Sequence, residues 1–118
     1  MTLDRLESWV LSKPGSGKSF PFGEEVAVYK VSHKIFAIVS LHDTPLRINL
    51  KAIPEEALVY RDIYPSVIPG YHMNKKHWNT VILDGTVPDE VVQEMVDTSY
   101  DLIVAKLTKR EREALLKA

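Results

Sequence analysis

Hydrophobic and polar positions alternate along this chain with two different periods, and the switches between them divide it into elements. Leu3, Leu6, Val10 and Leu11 recur at spacings of three and four, with Trp9 on or beside that face. This pattern predicts a first helix capped by Thr2 and stopped at Pro14-Gly15. Val26–Val31 predicts a strand, Ser32-His33-Lys34 a tight turn, and Ile35–Leu41 a second strand. The second run is apolar on both faces, which predicts a central position with helix over at least one side. Leu46, Ile48 and Leu50 then alternate with Arg47, Asn49 and Lys51, as in a half-exposed strand with a basic outer face.

Pro54-Glu55-Glu56 opens another helix, with proline and acids where the helix dipole favours them. Ala57, Leu58 and Ile63 or Tyr64 supply its expected buried side, and Pro65 ends it. Val67 and Ile68 form a short extended piece tucked inward. Asn79–Leu83 predicts a further strand, led by Trp78, before the Asp84-Gly85 turn. From Pro88-Asp89-Glu90 runs the longest helix, with Val92, Met95, Val96, Ser99, Leu102 and Ile103 on one face. Thr108 and Glu111 match a capping box, so a last helix is expected from Lys109 to Lys117.

The order is helix, three strands, helix, one or two strands, one or two helices. It predicts an α+β fold: two layers, with a mostly antiparallel sheet and the helices packed on one face. At 118 residues the chain has room for one domain, expected to span 1–118, and no repeat or linker interrupts it. No apolar run is long enough to cross a bilayer, and the first residues, with Asp4, Arg5 and Glu7, do not read as a secretory leader. The cytoplasm is the expected location.

Cysteine is absent, which excludes disulfides, thiolate chemistry and cysteine-ligated zinc. A net charge of -1 provides no global field for nucleic acid, so any such interaction must be local. Gly15-Ser16-Gly17-Lys18-Ser19 resembles a phosphate-binding loop only superficially. Ser12 stands where the motif needs glycine, a helix comes first, and Phe20-Pro21-Phe22-Gly23 cannot continue a helix. It reads as a flexible turn, with Phe20 and Phe22 anchoring the following loop onto the core.

One segment is not explained by folding. From Pro65 to Leu83 there is no acidic residue, while Tyr71, His72, Asn74, Lys75, Lys76, His77 and Trp78 crowd together. Cations hold phosphates and flat rings stack on bases or sugars, so these seven residues are the candidate nucleic-acid or anion site. Lys30, Lys34, Arg47 and Lys51 are candidate extensions of the patch. Asn74 and Asn79 suit fastening a turn better than reading a base. Catalytic, metal and cofactor sites are not expected. His42-Asp43 is a turn pair, and an enzyme or small-ligand site would require His72, His77 and Asp84 to meet in a concave pocket.

The run Pro69-Gly70-Tyr71-His72-Met73-Asn74-Lys75-Lys76-His77-Trp78-Asn79-Thr80-Val81, with Leu83-Asp84-Gly85 and Pro88-Asp89, resembles the bacterial MmcQ/YjbR-like family. Lys13-Pro14-Gly15, Phe20-Pro21-Phe22-Gly23, Lys30-Val31, Phe36-Ala37 and Ser99-Tyr100 add weaker support, so the resemblance spans nearly the whole chain. It implies a compact two-layer fold similar to those of type III secretion chaperones and frataxin-like proteins. It also implies a double-wing arrangement and DNA binding near His72–Trp78, with no catalytic residues to carry over. The frataxin likeness would want an acidic ridge; Glu90, Glu94, Asp97 and Asp101 line the outer face of the long helix, as ordinary solubility also requires. DNA is thus one expected partner. The alternative is a protein-interaction or chaperone-like adaptor docking on the open sheet face, for which exposure of both Phe36 and Ile38 would be the mark. A membrane partner is not expected, and the expected state is a monomer or weak homodimer.

Overall fold

The computed structural model describes residues 1–70 and 73–117. Six strands form one antiparallel sheet in the order β1-β2-β3-β4-β6-β5: β1 Ser16–Ser19, β2 Val26–Val31, β3 Lys34–Ser40, β4 Arg47–Lys51, β5 Val67–Pro69 and β6 Trp78–Ile82. Helices α1 (Leu3–Leu11), α2 (Pro54–Ile63), α3 (Asp89–Val104) and α4 (Lys109–Leu116) complete the α+β fold.

Strand register explains which face is covered. Ala27, Tyr29, Ala37, Val39, Ile48, Leu50 and Val81 fall on one side of the pleat and join Leu6 and Val10 of α1 and Val92, Val96 and Ile103 of α3 in the core. The other side carries Val26, Val28, Ile38, Ser40, Arg47, Asn49 and Thr80. As expected, β3 lies inside the sheet. The caps are as expected too: Thr2 accepts from the Arg5 amide, and Thr108 with Glu111 completes its capping box.

Four local expectations are corrected. Gly15–Ser19 is not a free turn, because Ser16–Ser19 pairs along β2 as an edge strand, where ladder hydrogen bonds outweigh poor strand propensity. Phe20 and Phe22 do not anchor their loop, since both side chains are exposed. In α2 the sheet side is Ala57, with Tyr60 packed against the core, whereas Leu58 and Ile63 are 63% and 57% exposed. The fourth is Phe36, expected on the open face but fully buried against Tyr100, with ring planes at 83°.

A β-bulge moves Phe36. Tyr29 pairs with Ala37 and Lys30 with Ile35, so Phe36 has no residue opposite it on β2 and turns to the core side. Ser99 of α3 compensates. Its buried hydroxyl donates to the Phe36 carbonyl at 2.6 Å and accepts from the Lys51 amide at 2.9 Å. One side chain thereby ties α3 to β3 and to the end of β4.

Candidate nucleic-acid interface

The turn entering β6 is built by Asn74. Its side-chain oxygen accepts from the Lys76 amide at 2.9 Å, and its carbonyl accepts from the His77 and Trp78 amides at 3.1 and 2.9 Å. Arg61, in the last turn of α2, secures the outside. Its guanidinium donates to the Lys75 carbonyl, to the Trp78 carbonyl at 3.4 Å, and to the Asn79 side chain at 2.6 Å. Asn79 is buried and donates in turn to the Ala57 carbonyl at 3.3 Å. Asn74 and Asn79 thus fasten the turn, as their residue type led us to expect.

On this scaffold Lys75 and Lys76 are exposed, and among the described residues neither has a carboxylate partner. His77 and Trp78 are half-buried. Tyr71 and His72 lie outside the described residues.

Three of the four extension residues share this end of the sheet. Lys51 pairs opposite Trp78, the Ala52 amide donates to the His77 carbonyl at 2.8 Å, and Lys30 and Lys34 flank the β2–β3 turn. Burial, followed by the neighbouring Lys106 and Lys34 ammonium groups, pushes the Lys51 pKa down to about 8. Lys106, just beyond α3, is a cluster member that sequence reasoning missed. Arg47 stands apart at the opposite end of β4, 3.9 Å from Asp43.

The other chemistry considered does not assemble. Asp84 accepts from Ser66 at 2.5 Å and from the hydroxyl and amide of Thr86 at 2.6 and 3.0 Å, which holds its pKa at about 2. It sits beyond the far end of β6 from His77, roughly 20 Å away along an extended strand. His42 stands 3.7 Å from Asp43 and 3.9 Å from Glu25, an exposed turn cluster. Among the described residues no three His, Cys, Asp or Glu side chains are placed to hold a metal, and no helix is long and apolar enough to cross a membrane. On the outer face of α3, Asp97 accepts from the Trp9 indole at 2.9 Å and pairs with Lys13, while Glu90, Glu94 and Asp101 are exposed.

With Phe36 in the core, the Phe36–Ile38 pair does not mark a docking surface. The helix-free face instead holds a cleft of about 670 Å³, lined among others by Val26, Ile35, Ile38, Phe22 and Met73.

The YjbR family model matches residues 11–102. The chain belongs to the YjbR family. Escherichia coli YjbR is 34% identical over 116 residues, covering 98% of each chain, and Escherichia coli YbdF is 41% identical over 95 residues, 80% of this chain and 77% of its own. Among solved structures, a Deinococcus radiodurans protein superposes with a TM-score of 0.91 at 43% identity, covering 97% of this chain and 87% of its own. A Pseudomonas syringae protein superposes at 0.74 and 25% identity, covering 86% and 98%. The family's fold therefore extends along the chain, from α1 to the end of the sheet and α3.

Proposed function

We propose that this YjbR-family protein associates with nucleic acid, without catalysis, through the basic end of its sheet. Lys75 and Lys76 make the leading contacts, Lys51, Lys34 and Lys30 extend them, and His77 and the exposed part of Trp78 lie beside the phosphates. The observation that carries this reading is a group of cations without compensation. Among the described residues, Lys75 and Lys76 are exposed with no carboxylate partner, and Lys51, opposite Trp78 on the same end of the sheet, has Lys106 and Lys34 as charged neighbours. Like charges held together cost stability, and a phosphate backbone relieves that cost by replacing a counterion atmosphere with fixed contacts. The turn is fixed in advance by Asn74 and Arg61, which lowers the ordering cost of binding. A cytoplasmic setting is consistent with the absence of cysteine.

Fluorescence anisotropy with short duplex and single-stranded DNA, at low and at physiological salt, tests the proposal. Wild type should bind more weakly as salt rises. Lys75→Ala/Lys76→Ala should lower affinity and reduce the slope of log K against log salt by about 2, one phosphate contact per lysine. Equal binding by wild type and variant, or no binding tighter than about 1 mM at low salt, would overturn it.

A further inference from the structure

We infer that the cleft on the helix-free sheet face is a binding site for a small organic monocarboxylate with an apolar body. The cleft is distinct from the basic end and rests on different residues. At about 670 Å³ it falls within the size range of small-molecule sites. Val26, Ile35 and Ile38 of the sheet line it, together with Phe22 and Met73 from separate loops. Phe22 is 68% exposed and therefore offers a largely solvent-facing apolar rim.

The polar groups indicate the head group. Asn49 lines the cleft and is only 9% exposed. Its side-chain oxygen accepts from Thr80 at 2.5 Å, whereas its amide nitrogen has no partner among the described residues. That nitrogen is not sealed from solvent either, since Ser16 Oγ is the sole sealed side-chain atom without a partner among the described residues. A largely buried amide donor without a protein acceptor among the described residues, on the lining of a cleft, calls for an acceptor from outside. Arg47 lines the same cleft, and its terminal nitrogens make no hydrogen bond among the described residues. Asn49 and Arg47, two residues apart on one side of β4, thus bring an amide and a forked guanidinium to the lining of one apolar trough. A carboxylate supplies acceptors for both, and an aliphatic or aromatic body fills the rest. Asp43 and, further out, Glu25 and His42 share the Arg47 end. The flanking acids disfavour a multiply charged anion such as a phosphate ester, so the site suits a single negative charge.

The test uses 4-phenylbutyrate and its neutral primary amide as probes in a titration of the ¹⁵N-labelled protein followed by amide chemical shifts. Saturable shifts at Ile35, Ile38 and Asn49, with a dissociation constant below about 1 mM for the carboxylate, are expected. Binding should weaken at least about fivefold for the amide probe and for Arg47→Gln, which retains a dispersed, folded spectrum. A second variant, Met73→Ala, should weaken both probes alike by removing part of the lining. Three results would each overturn the inference. These are no saturable shift at about 10 mM probe, shifts confined to the exposed side of α2, or equal affinity of wild type and Arg47→Gln for the carboxylate. Shifts at these amides from duplex DNA, with none from the probe, would also overturn it and assign the cleft to the nucleic-acid surface.

Discussion

Replacing Ser99 by alanine removes one oxygen atom but strands two backbone groups. The Phe36 carbonyl, on the bulged residue with no opposite number in β2, loses the Ser99 hydroxyl as donor, and the Lys51 amide loses its acceptor. An unsatisfied buried polar group costs about 1–3 kcal/mol. The Phe36 carbonyl is in a buried setting, so most of that cost applies. Lys51 lies at the edge of the core, and water recovers part of the loss there. The sum is roughly 2–4 kcal/mol, beyond the usual range for a change this small. Urea unfolding followed by circular dichroism should therefore show a midpoint lowered by roughly 1–3 M at unchanged slope. Thr98→Ala, one residue away on α3, should stay within about 0.5 kcal/mol. Hydrogen exchange at the Lys51 amide should quicken in Ser99→Ala. If the variant loses less than about 0.5 kcal/mol and that amide remains protected, the bridge does not hold the bulge and the explanation of the buried Phe36 fails.

Gly70→Ala should lower the melting temperature, at a cost of about 1–3 kcal/mol, because an added Cβ would meet the Trp78 Cβ at 2.8 Å and its carbonyl oxygen at 3.0 Å. Thermal melts would check this. Asp84 and Glu111 are held at about 2 by their hydrogen bonds, against ordinary values of 3.8 and 4.5. Both contribute stability that is present above about pH 4.5 and is lost as pH falls toward 2. Asp84→Asn with Glu111→Gln should flatten that acid-limb loss in denaturant titrations. Lys51 has the opposite sign: its folded pKa of about 8 lies below the ordinary 10.5, so the unfolded chain binds more protons between those values and stability rises with pH across that window. Lys51→Met should abolish the alkaline rise, and wild type should take up protons on binding DNA near pH 8 if phosphate restores the ammonium.

The parts of the fold that could be read in advance depend on neighbours in sequence. The capping box at Thr108 and Glu111 joins residues three apart, and a period of two puts Ile48 and Leu50 on the core side of β4, although Asn49 on the other side is buried too rather than exposed. What could not be read depends on distant partners. The bulge at Phe36 exists because β2 pairs in two registers and because Ser99, far along the chain, completes it. In α2, Leu58 and Ile63 were expected to be buried because they are the most apolar residues. The sheet instead takes Ala57, whose small side chain lets the helix approach and lets its carbonyl receive Asn79. The role of Arg61 is invisible in the sequence for a related reason. Near a helix C-terminus an arginine reads as a dipole partner, and nothing local shows that its guanidinium reaches the next strand. The candidate lysines were readable as an acid-free run, but their company, Lys106 included, comes from the topology.

Arg61 also determines how the two proposed sites relate. Its guanidinium is occupied by backbone and amide oxygens, so it adds little to the basic surface and acts by stiffening the turn. That turn has two sides. Met73 lines the cleft, and Lys75 and Lys76, two and three residues on, are exposed. A carboxylate that packs on Met73 and a phosphate that holds Lys75 therefore act on one short segment. If each occupant prefers a slightly different setting of the turn, each must change the affinity of the other by the same factor, since binding free energies are reciprocal. If the Arg61 grip leaves the turn only one setting, the factor is one. The proximity of the sites alone does not require coupling; the stiffness that Arg61 gives the turn decides it.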